Sequence, residues 1–114
     1  MTFSETYRFL LQKRLETNDE ILTYNEPFIK DTIHLFSRNI PEAIDFFNND
    51  CTADEYIWIS ELIEDIASES RSVSLIRNYA LLSNKYPQET KDYNILSFIN
   101  STMAIAESWQ EDED

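Results

Sequence analysis

The chain of 114 residues contains no glycine. Hairpin turns, phosphate-cradling loops and dinucleotide-binding turns rely on glycine for positive φ or close backbone approach. A chain without it reads as helices joined by short polar links.

Apolar spacing agrees with that reading almost throughout. Phe3, Tyr7, Leu10, Leu11 and Leu15 form one helical stripe, which "TND" at 17–19 should end. Ile29, Ile33, Phe36 and Ile40 form a second, with Pro27 near its start, where proline is tolerated. Pro41 opens a short third helix with Ile44 and Phe47 inward and "NND" at 48–50 as its end. A fourth helix begins at Thr52, where "TADE" has the form of a capping box, and runs to the serine-rich break "SESRS" at 68–72. Val73, Ile76, Tyr79 and Ala80 mark a fifth, ended at "NKYP" because Tyr86 precedes a proline. A short piece, "PQETKDY", leads to a last helix with Ile95, Ile99, Met103 and Ala106 inward. The expectation is all-α: a compact irregular bundle of five to seven short antiparallel helices, or a small HEAT-like stack. Residues 1–109 are expected to form a single helical domain, and 110–114 an acidic frayed C-terminal tail.

Seven Phe, six Tyr and two Trp argue against a disordered acidic chain. No apolar run reaches membrane-spanning length, and the first residues lack a basic region followed by an apolar stretch. The expected location is cytoplasmic, with no membrane partner. A lone cysteine, Cys51, excludes an internal disulfide and a multi-thiolate metal site. The single histidine, His34, is too few for a di-iron bundle. No EF-hand spacing occurs. No catalytic residue, metal or cofactor is therefore expected, and the chain reads as a binding protein.

Twenty-two acids against nine bases give a net charge of −13. Residues 51–114 carry −9 of it and residues 1–50 carry −4. Direct nucleic-acid binding needs a basic surface, so a basic partner fits better. The densest stretch is "CTADEYIWISELIEDIAS", residues 51–68. On a helical wheel with Asp54 at zero, Ile59, Leu62, Ile63 and Ile66 fall between about 80° and 180°, the core side. Asp54, Glu61 and Asp65 fall within about 20° of zero, with Glu64 and Ile57 beside them. Trp58 falls near about 40°, on the border. This reading leaves Ile57 in solvent and Trp58 at most half covered, ringed by carboxylates. Such a layout suits an interface: tryptophan is enriched among hot spots, and acids steer a basic partner.

"DFFNNDCTADEYIWISELIEDI", followed by "NKYPQETKDYNILSFINSTMAIAE", resembles small acidic helical immunity proteins. These accompany bacterial polymorphic toxins, including those of contact-dependent growth inhibition systems. The likeness spans roughly residues 42–107 and is carried by "CTADE", the tryptophan of "WISELIEDI", and "KYP" followed by "YNI". It implies an antitoxin bound as a monomer, 1:1, to a cognate basic toxin domain, often a nuclease. Asp54, Glu61, Glu64 and Asp65 would pair with toxin lysines and arginines, and Ile57 and Trp58 would supply the apolar centre. Asp92 and Tyr93 would extend the patch if their segment packs alongside. The rival readings are an acidic nucleic-acid mimic, a helical adaptor module and, third, an enzyme using His34 or clustered acids.

Overall fold

The computed structural model describes residues 2–16 and 26–109. The expected end of the first helix at 17–19 and the acidic tail at 110–114 lie outside the described residues. The fold is all-α: α1 (Phe3–Glu16), α2 (Glu26–Arg38), α3 (Ile40–Asn49), α4 (Ala53–Ser60), α5 (Ile63–Ser70), α6 (Val73–Lys85), α7 (Pro87–Asp92) and α8 (Ile95–Ala106). No helix among the described residues is long and apolar enough to cross a membrane.

Helix starts follow local chemistry. The capping box expected at Thr52 is present: the Glu55 amide donates to Thr52 Oγ1 at 3.2 Å, and the Thr52 amide donates to Glu55 Oε1 at 2.9 Å. "TFSE" at 2–5 makes the same reciprocal pair at the head of α1, at 3.1 and 3.0 Å. The Ser72 hydroxyl accepts from the Leu75 amide and caps α6. Pro41 and Pro87 sit in the first turns of α3 and α7, where an amide would go unused. With no glycine to hand, two other residues take the left-handed backbone region: Arg71 (φ 54°) after α5 and Asn94 (φ 53°) before α8. Asparagine tolerates this region. Arg71 donates its amide to the Ala67 carbonyl at 2.7 Å and lays its guanidinium over the Trp109 ring, 4.9 Å from the centroid.

Among the described residues eight helices stand where five to seven were expected, because the fourth divides in two. The division falls at Ser60. Its hydroxyl donates to the Ile57 carbonyl at 2.6 Å, an oxygen that a continuing helix would offer to the Glu61 amide. Leu62 then donates to Ile59 at 2.8 Å, a three-residue step that tightens the turn before α5 begins.

The core is an aromatic chain. Phe36 of α2 is fully buried and meets Phe3, Tyr7, Phe46 and Phe47 with ring centroids 4.9 to 6.0 Å apart. Contacts continue from Phe47 to Tyr79 (5.4 Å), Tyr56 (5.2 Å) and Tyr86 (5.7 Å), joining α3, α6, α4 and the α6–α7 link. Such pairs add to the stability from burial alone. A smaller cluster of Ala67, Ile76, Ala106 and Trp109 closes the far ends of α5 and α8.

Candidate protein-interaction surface

The acids singled out in the sequence do not sit on one open helix face. α4 is the innermost short helix: Glu55, Tyr56, Ile59 and Ser60 are buried, and Ala53, Ile57 and Trp58 are partly buried. Of its eight residues only Asp54 is exposed. The reason is tertiary. α1 reaches it through Arg8 and Glu55, α2 through Phe28 and Trp58, α6 through Tyr79, and α7 through Thr90.

Two expectations are corrected here. Ile57 does not stand in solvent but packs, partly buried, against the main core. Trp58 is not a half-open border residue. Its ring meets Phe28 edge-on at 6.0 Å, and the Arg14 guanidinium lies 5.8 Å from its centroid. Arg14, Phe28, Trp58 and Glu61 wall a small void of about 40 Å³.

Outside α4 the expected acids are accessible. Glu61 and Asp65 are exposed, and Glu64 is partly buried. Glu69, which the wheel did not single out, is exposed as well. Its spacing of four from Asp65 on α5 was the available signal: such a step keeps side chains neighbours on a helix. None of these carboxylates makes an ion pair with a described lysine or arginine. Asp92 and Tyr93 are both exposed, and Asp92 accepts from the Gln88 side chain at 2.9 Å. Their helix does pack beside α4. Thr90 gives its hydroxyl proton to the Tyr86 carbonyl (2.8 Å), so at the 2.6 Å contact with Tyr56 the tyrosine is the donor.

One acid inside the site has a structural task. Glu55 is buried and receives Arg8 through Nε at 2.6 Å and through a terminal nitrogen at 3.1 Å. Arg8 also donates to the Asp50 carbonyl at 2.7 Å. Burial raises the Glu55 pKa, but the Arg8 and Thr52 hydrogen bonds together outweigh it and hold the carboxyl below its ordinary value. Cys51, next to this pair, is buried, and its carbonyl accepts from the Tyr86 hydroxyl at 2.7 Å. Burial first, then the Glu55 charge, pushes its thiol up to about 12 against the opposing pull of Arg8 and Lys85. A thiol so placed is a filler rather than a nucleophile. His34 is exposed on α2. Among the described residues no three His, Cys, Asp or Glu side chains gather as metal ligands.

No family model, no curated protein and no solved structure matches this chain. The arrangement offers exposed carboxylates on a rigid helical frame, which can bind cations by charge.

Proposed function

We propose that this chain is an immunity protein: a stoichiometric inhibitor that binds a cognate basic toxin domain, a nuclease, and covers its active or substrate-binding surface. The observation that carries the proposal is the exposure of Asp54, Glu61, Asp65 and Glu69, unpaired with any described cation on a chain of charge −13. A nuclease must attract a polyanion, so its working surface is basic, and fixed carboxylates compete for it. The likeness of residues 42–107 to immunity proteins points the same way. Ile57 and Trp58 add only the apolar strip that their neighbours leave uncovered. Specificity then rests on where the charges stand along α5, since complementary charges fix register and reject other partners.

The compact envelope, 41 × 30 × 28 Å, favours this reading over a nucleic-acid mimic, which would spread charge along an elongated face. The experiment pairs the chain with the C-terminal toxin domain encoded next to it and uses an unrelated basic nuclease as control. Glu61→Gln with Asp65→Asn keeps side-chain shape and removes two charges. Close interfacial charge pairs reach about 1.5 kcal/mol each. The double variant should therefore bind roughly 100-fold more weakly, at unchanged helicity. Equal binding of both nucleases, or no loss in the double variant, would overturn the proposal.

A further inference from the structure

Charge is withheld from one helix. Of the eight helices among the described residues, α8 alone carries no charged side chain, on a chain in which 27% of residues are charged. α6, which packs against α8, has no acid and two bases, Arg77 and Lys85. The neutral residues are not all inside. Ile95, Ile99, Thr102 and Ala106 form the buried side of α8, whereas Ser97, Asn100, Ser101 and Ala104 are exposed. Six large apolar side chains are exposed among the described residues, and four of them lie on or beside this helix pair: Leu81, Tyr93, Leu96 and Ile105. Leu81 and Leu96 are 58% and 50% exposed, too open to count as the rim of the core. Between α6, α7 and the start of α8 opens a groove of about 560 Å³, with Asn84, Pro87, Lys91 and Leu96 in its walls and no carboxylate among its lining residues.

Few occupants suit a neutral, partly apolar face on a chain of charge −13. A basic segment finds no carboxylate on α8 to receive it. A nucleic acid or a strongly acidic protein is repelled by the chain as a whole. A second copy carries the same charge, so it can approach closely only where acids are missing. In a two-fold contact one patch is used twice, and each group meets its own kind or a neighbour from the same patch. Carboxylates fail that condition, because two of them brought together repel. The Asn100 amide and the Ser97 and Ser101 hydroxyls satisfy it, since each both donates and accepts. Leu81, Leu96 and Ile105 satisfy it because apolar surfaces bury one another without direction. Two helices about 18 Å long and about 9 Å apart make a patch smaller than the roughly 800 Å² a side of a standard interface. The contact is therefore a reversible one.

We propose that the outward side of α8, with the adjoining strip of α6, is a self-association face through which two copies meet about a two-fold axis, where the resemblance implies a monomer. The face shares no residue with the acids of the immunity reading. Its test uses no toxin, so either proposal can fail alone.

The test is sedimentation equilibrium of the full chain up to about 500 µM, where a dissociation constant of about 10–100 µM is readily measured. The mass should rise from one chain to two and stop. Raising salt from about 50 to about 500 mM should tighten the dimer at least about tenfold, because it screens repulsion between two acidic bodies whose contact is neutral. A contact made by acids on cations would weaken instead. Ala104→Lys should weaken the dimer at least tenfold, although it lowers the net charge and so the general repulsion. Gln12→Lys, the same charge change on α1, should dimerise at least as well as wild type. Both positions are exposed on helices and lysine is a good helix former, so the fold is kept for the comparison. A chain that stays monomeric at high salt would leave this face to a partner of other chemistry and overturn the inference. So would a dimer that loosens with salt, assembly that continues past two chains, or an Ala104→Lys variant that dimerises as well as Gln12→Lys.

Discussion

Glu55 is the acid whose removal the structure lets one weigh. Its carboxylate completes the α4 capping box and receives two hydrogen bonds from Arg8, tying α1 to α4. Losing the reciprocal cap bond costs about 0.5–1 kcal/mol. The ion pair joins an almost buried carboxylate to an arginine whose side chain is 43% exposed. Solvent screening brings its worth well below that of a fully buried pair, to about 1.5 kcal/mol. Deleting the buried methylene groups adds about 1 kcal/mol. Glu55→Ala should therefore cost about 3 kcal/mol and lower Tm by roughly 12 °C for a domain of this size. Glu55→Gln keeps the stem and an acceptor for the Thr52 amide, so it should cost about 1.5 kcal/mol. The assay is urea and thermal unfolding followed by circular dichroism at 222 nm. The pH dependence provides the sharper check. The folded carboxyl is held below its ordinary 4.5, so its contribution is present above pH 4.5 and fades as pH falls through the lower folded value. The gap between wild type and Glu55→Gln should close below pH 4.5. A glutamine variant as stable as wild type at pH 7, or a gap unchanged at acid pH, would refute the account of Glu55 as the charged link between α1 and α4.

Other expectations follow from the core. Tyr79→Phe removes the donor to the Tyr56 carbonyl, a buried bond of 2.9 Å, and should cost about 1–2 kcal/mol at an unchanged urea m-value; a cost near zero would show that the bond adds nothing. The Cys51 thiol should resist an aromatic disulfide reagent at pH 8 until the chain unfolds, and rapid labelling of the native protein would contradict its burial. Because that thiol's pKa is raised, its contribution to stability is whole below 9.0, where the unfolded thiol ionises, and is lost as pH rises toward about 12. Alkaline titration with the same circular dichroism readout checks the sign.

The sequence by itself determined what local chemistry controls. The missing glycines, the capping box at Thr52 and the prolines at 27, 41 and 87 set the class of fold and most helix starts, because each acts within one turn of backbone. Period 3.6 placed Ile59, Leu62, Ile63 and Ile66 in the core, and all four are buried. The exposure of Asp54, Glu61 and Asp65 was legible for the same reason. Only the tertiary structure decided which of the remaining faces would be covered. A wheel gives a helix one buried side, whereas α4 is enclosed by neighbours from five other helices, so Ile57 and Trp58 are partly covered from directions no wheel contains. The Arg8–Glu55 pair joins positions 47 residues apart.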